Sequence, residues 1–159
     1  MAPRQGRIHN ARAILIGETH RRLTLRALPR IAIPLILYNV LVLFSGGAAE
    51  PFFRAPLFTL PMIKGAQWSF SRGDLIILVT MIFLFAELVK ATYTSSVSLV
   101  DHGLSMLVFI ACIVEFLVVD AAATSAFFFI LVGALIDVVA GFTIGIRVAR
   151  RDLAIGGVD

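Results

Sequence analysis

The sequence predicts an all-α membrane protein: a four-transmembrane-helix bundle, N-in/C-in, with a proline- and aromatic-rich interfacial loop between helices 1 and 2. Three observations carry this expectation. Hydrophobic residues make up 59% of the 159-residue chain and charged residues only 15%, more apolar surface than a soluble core of this size can hide. The apolar residues fall in stretches long enough to cross a bilayer, separated by short polar or proline-rich joints. Basic residues collect at the two ends, with seven arginines before Ile31 and three after Ile146.

Residues 1–30 form a basic arm in which Glu18 is the single acid. Arg21, Arg22, Arg26 and Arg30 lead into the first apolar run and mark the side that stays in the cytoplasm. Placed on a helix, Ile8, Ala11 and Leu15 share a face with Arg12, Arg22 and Arg26, so a surface-lying amphipathic helix is disfavoured and a mixed basic arm fits better. Arg21 and Arg22 before Leu23-Thr24-Leu25 resemble a twin-arginine export signal, but Thr24 stands where that motif takes an aromatic, and an uncleaved first anchor is simpler.

The first span is read at 31–49, with Pro34 near its start, where proline costs least, and Gly46-Gly47 near its end. Asn39 is its one strong polar group. Residues 50–70 are apolar but carry Pro51, Pro56 and Pro61, which leave no room for a spanning helix. Two readings stand for this loop: Phe52, Phe53, Phe58, Trp68 and Phe70 form a headgroup-level belt, or they cover the top of the bundle. Ser71-Arg72-Gly73-Asp74 supplies a helix cap before the second span at 75–93. The third span is read at 97–119, the outer turn at Asp120 to Thr124, and the fourth span at 125–146. Residues 147–159 make a cytoplasmic tail with Arg147, Arg150 and Arg151.

Chemistry, where there is any, rests on ionisable residues near hydrocarbon depth, which need partners, water or a role. Glu87 and Lys90 stand three residues apart, a helix-surface ion pair. Ser98, Asp101, Ser105, Val108, Cys112 and Glu115 form one stripe of the third span at spacings of three and four. On the fourth span Gly133, Asp137, Gly141 and Gly145 recur every four residues, and Gly141-Phe-Thr-Ile-Gly145 matches the small-xxx-small pattern of closely approaching helices. One reading joins Asp137, Asp101, His102, Glu87 and Lys90 into an intramembrane polar cluster. The other leaves Lys90, Asp101 and His102 at the membrane edge and gives Asp137 hydrogen bonds across a glycine-lined contact. Glu115 and Asn39 form a second polar tier, and Glu115 lies where water or Arg72 reaches it.

No phosphate-binding glycine loop, HExxH, nucleophile elbow or paired metal-ligand set is present, so the sequence points to no enzyme, cofactor or metal. His102 could ligate a haem, but no second membrane histidine would complete a bis-histidine site. Cys112, the one cysteine, has no basic neighbour on its stripe and reads as an inert core thiol. The expected partners are the lipid bilayer and either further copies of the chain or other membrane proteins, with no nucleic acid. The expected function is a small non-enzymatic subunit or assembly component of a bacterial inner membrane, packing through the glycine face of the fourth span. The alternative is an oligomeric proton or ion conductor using a carboxylate cluster around Asp137.

Overall fold

The structure is a computed structural model that describes residues 29–93 and 99–155, with side chains described in 29–91 and 103–147. The described chain is mostly helical. Its elements are α1 (Ala32–Phe44), a short α2 (Ala49–Arg54), strands β1 (Pro56–Pro61) and β2 (Gln67–Ser71), α3 (Arg72–Tyr93), α4 (Leu99–Val118), a 3-10 turn (Asp120–Ala122) and α5 (Ser125–Ile155).

The first helix is shorter than the apolar run that encodes it. Pro34 sits in its first turn, where a missing N–H leaves no bond broken, and the helix stops at Phe44. Ser45 then bonds back to the Val42 carbonyl through both its N–H and its hydroxyl. Gly46 (φ +61°) and Gly47 (φ +87°) take the left-handed conformation that turns the chain. Ala49, expected at the end of the first span, instead begins α2.

The 50–70 stretch is not an irregular loop. After α2 the chain forms an antiparallel hairpin in which Phe58 faces Phe70, Thr59 faces Ser69, Leu60 faces Trp68 and Pro61 faces Gln67. A turn at the tip is closed by Gly65 N–H on the Met62 carbonyl (2.9 Å), with Gly65 at φ +84°. The three prolines forbid a spanning helix as expected, yet they leave a hairpin open, because Pro56 and Pro61 sit at the ends of a two-stranded ribbon with no central strand to interrupt. Phe53 is buried in the core, whereas Phe58 and Trp68 are about half exposed.

Ser71 and Asp74 start α3 with a reciprocal cap. Ser71 Oγ accepts the Asp74 N–H (3.1 Å), and the Asp74 carboxylate accepts the Ser71 N–H (2.8 Å) and hydroxyl (2.7 Å). The 3-10 turn at 120–122 reverses the chain between α4 and α5, where the outer turn was expected. The last helix then runs on to Ile155, so Arg147, Arg150 and Arg151 stand on a helical extension and not on an irregular tail.

α5 is the central helix, packed against α3 on one side and α4 on the other, with α1 laid across the α3–α5 pair. Its inward residues Ala126, Phe127, Ile130 and Ala134 form the core with Ile31, Tyr38, Phe53, Ile76 and Cys112. A Cβ built on Gly73 would lie 3.7 Å from that of Ala126, and one on Gly133 3.0 Å from Thr80 Cγ2. Both pairs share one register, so one turn further along Asp137 comes level with Leu84 and Gly141 with Leu88. Among the described residues one helix, over Ser125–Arg147, is long and apolar enough to cross a membrane by length and composition.

Candidate functional site

A seam of polar groups runs through the inside of the helix assembly, and each end of it ties α1 to another helix. At one end Glu87 of α3 is the hub. Its carboxylate accepts the backbone N–H of Arg30 (3.2 Å) and the ammonium of Lys90 (3.1 Å), while the Arg30 guanidinium lies 3.8 Å away and donates to the Ala86 carbonyl (2.9 Å). The Glu87–Lys90 pair read from the sequence is therefore formed, and Arg30, expected only to mark the membrane surface, joins it. Ile31, the residue before α1, offers no side-chain cap of its own; Glu87 reaches across from α3 to the backbone N–H of Arg30 in the turn that leads into this helix.

In the middle of the seam Thr80, Ser105 and Asp137 are buried on α3, α4 and α5. Thr80 returns its hydroxyl to the Ile76 carbonyl (2.8 Å), so it brings a small, satisfied polar side chain to the α3–α5 contact. Asp137 keeps only 5% of its surface and stands one turn past the Gly133–Thr80 contact. Gly133 and Gly141 are themselves buried within the chain and Gly145 is half-buried. At Gly133 the close approach is made to the chain's own α3 and to Ile31.

At the other end Tyr38 links three segments. Its hydroxyl bonds to the Ala121 carbonyl (2.6 Å) and to Thr124 Oγ1 (2.7 Å), and Thr124 Oγ1 also accepts the N–H of Phe127 (3.2 Å). With one phenolic proton committed to the carbonyl, the Thr124 hydroxyl donates to Tyr38, and Thr124 thereby caps α5 while bonding α1. The Tyr38 ring stacks on Phe53 (centroids 4.6 Å, 12° between planes) and meets the edge of Phe127 at 5.0 Å. Beside it Asn39 donates to the Leu35 carbonyl (3.2 Å) and stands next to Glu115 of α4. The two residues of the second polar tier thus lie side by side, on α1 and α4. Arg72 is occupied elsewhere, donating to the Phe52 carbonyl (3.4 Å) with its guanidinium 4.5 Å over the Phe52 ring.

The third-span stripe faces inward where its side chains are described. Ser105 and Cys112 are buried and Val108 and Glu115 half-buried, whereas Leu107, Val114, Leu117 and Val118 on the opposite side are exposed. Asp101 and His102 lie on the first turn of α4, but their side chains, like those of Arg150 and Arg151, fall outside the described ones, and Arg21, Arg22 and Arg26 fall outside the described residues. Arg147 is exposed. Of the five-residue cluster, the structure brings Glu87 and Lys90 together and buries Asp137 on the neighbouring helix. Among the described residues no group of three or more His, Cys, Asp or Glu side chains is arranged to hold a metal ion.

Sequence reasoning missed Tyr38, Thr124 and Thr80. A tyrosine within an apolar run is a polar handle that requires a partner, and Thr124 two residues before the apolar fourth run is a cap signal, so both had a legible mark. Comparison with known protein families, with curated proteins and with solved structures gives no match to this chain.

Proposed function

We propose that the chain is a multi-pass membrane protein acting as a small non-enzymatic subunit, with α1, α3, α4 and α5 as four spans, both termini cytoplasmic and the α2 and hairpin segment outside. The inverted polarity of the helices supports the membrane reading. Ile36 on α1, Phe85 on α3, Leu117 on α4 and Val139 on α5 are each more than half exposed, while Thr80, Ser105, Thr124 and Asp137 are buried. A soluble monomer exposes no apolar girdle of this extent; a bilayer is its matching solvent. At ~1.5 Å per residue α1 covers about 20 Å, short of a ~30 Å hydrocarbon core, so the bilayer thins around it. Arginine placement sets the direction, since the ends hold most of the basic residues.

The inward-facing stripe of α4 is the observation that carries the subunit reading. Its Ser105 and Cys112 are buried within the chain and its Glu115 is half-buried beside Asn39 of α1, and α5 approaches α3 so closely at Gly133 that an added methyl group would meet Thr80 Cγ2 at 3.0 Å. What the chain presents outward is apolar helix surface for lipid or for other membrane proteins. Crosslinking in native membranes followed by mild-detergent purification tests this. The expected result is a distinct membrane protein held at fixed stoichiometry, with no proton or ion flux from the pure chain in proteoliposomes. Flux from the pure chain would instead support conduction by several copies around the buried Asp137.

A further inference from the structure

The hairpin is amphipathic, and its apolar side is left largely open. Because directly paired residues share a face, Phe58, Leu60, Trp68 and Phe70 lie together on one side, and Thr59, Pro61, Gln67 and Ser69 on the other. The polar side is knit by a Thr59–Ser69 hydroxyl bond (3.0 Å). The apolar side is a joined aromatic surface: Phe58 stacks on Phe70 (5.1 Å, 13°), and Trp68 sits edge-on to both, at 6.0 and 5.9 Å. Leu60, Phe58 and Trp68 are each about half exposed, and Ile63 at the tip is fully so.

We propose that this hairpin lies over the outer leaflet with its Phe58, Leu60, Trp68 and Phe70 face on the lipid headgroup layer, forming a membrane-surface contact separate from the spanning helices. The proposal rests on the four-span reading above, which puts the hairpin's root at the outer end of α3. Four features single out lipid as the occupant. Tryptophan and phenylalanine on one face of a ribbon, backed by threonine, serine and glutamine, match the half-wet, half-apolar headgroup zone. Lys64 at the tip is the one charged residue in 56–71, a single cation within reach of lipid phosphate groups, while Arg54 at the root is paired with Glu50. The apolar face is continuous in the chain with the outward apolar surface of α3, which begins at the exposed Leu75 and Leu78. Pro56 and Pro61 take two N–H donors out of β1, which blunts it as an edge for pairing with a second copy.

Trp68 is the only tryptophan in the chain, so the native protein reports on itself. It lies four residues before α3 begins, about 13 Å along a strand, whereas the headgroup layer adds only about 5–8 Å to each side of the core. An upright hairpin would therefore hold Trp68 in water, and a lying one would hold it in lipid. The experiment reconstitutes the full chain in phosphatidylcholine vesicles containing some phosphatidylglycerol and measures Trp68 fluorescence against external iodide and against lipids brominated either near the headgroup or near the chain end. Phe85→Trp in a Trp68→Phe background, at a lipid-facing site in the middle of α3 that is 69% exposed, is the reference for a spanning helix.

The expected result is Trp68 quenched several-fold more by shallow than by deep bromines and weakly by iodide, with the emission of the Phe85→Trp reference variant following the deep bromines. Ile63→Asp should move Trp68 toward iodide while leaving helical circular dichroism unchanged. Strong iodide quenching of Trp68 without lipid quenching overturns the proposal, as does shielding from both, which would mean that protein covers the hairpin. If the α3 reference itself escapes lipid quenching, the four-span reading fails and the proposal falls with it.

Discussion

The Glu87 carboxylate accepts the backbone N–H of Arg30 at 3.2 Å, so that α3 holds the turn leading into α1 from a residue 57 positions away in sequence. The same carboxylate holds Lys90 at 3.1 Å and is only 12% exposed. Replacing Glu87 by Ala leaves a backbone donor and two cations without their shared acceptor, a loss on the order of 1–3 kcal/mol. Glu87→Gln keeps an acceptor oxygen and should fall between Ala and wild type. Lys90→Ala removes one exposed-side partner and should cost about 0–1 kcal/mol. Thermal unfolding in detergent orders the three variants, and Glu87→Ala no less stable than Lys90→Ala would contradict this role.

Tyr38 and Thr124 form one unit. Tyr38→Phe removes the bonds to Ala121 and Thr124 and keeps the stack on Phe53, for an expected cost of about 1–2 kcal/mol. Thr124→Ala also removes the α5 cap and should cost at least as much. Because the two share a hydrogen bond, the double variant should be less destabilised than the sum of the singles, and strict additivity in the cycle would show that they act independently.

At Gly133 the closeness of α5 to α3 is testable by one methyl group. Gly133→Ala places a Cβ 3.0 Å from Thr80 Cγ2 and 3.4 Å from Ile31 Cδ1, a crowding loss that offsets the ~1 kcal/mol alanine gains over glycine inside a helix. Thr80→Ser, which deletes Cγ2, should recover part of that loss. A Gly133→Ala chain that gains no stability from Thr80→Ser would mean that the new methyl group does not meet Thr80.

These three relationships show which parts of the molecule were legible. Helix positions followed from apolar run length, and the starts of α3 and α5 carry their signals in Ser71, Asp74 and Thr124. The early stop of α1 at Phe44 was harder to read, because composition stays apolar to Ala49 and the change lies in backbone conformation at Gly46 and Gly47. The hairpin was hidden by its prolines, which read as breakers although β1 lies at an edge. That Ser105, Cys112 and Glu115 share one stripe followed from helical spacing, whereas its inward direction and the place of Asn39 beside it depend on how the helices pack, which no local pattern encodes. Arg30 looked like a surface charge for the same reason.

Asp137 separates the two functional readings. For a subunit, Asp137→Asn keeps size and polarity without the charge and should leave assembly intact, while Asp137→Leu, which places an apolar branch one turn past the close approach at Gly133, should lower stability or dissociate the complex. Assembly mass in detergent measures both. Loss of assembly in the Asn variant equal to that in the Leu variant would assign the charge itself a role that the subunit reading does not include.

Topology tests the account most directly. Reporter fusions within residues 1–20, in the 62–66 turn and after Asp159 should read cytoplasmic, external and cytoplasmic, because arginine-rich ends resist translocation and the connection between α1 and α3 holds few charges. Termini on opposite sides, or a 62–66 turn on the same side as both termini, would contradict the four-span N-in, C-in bundle on which the proposed function rests.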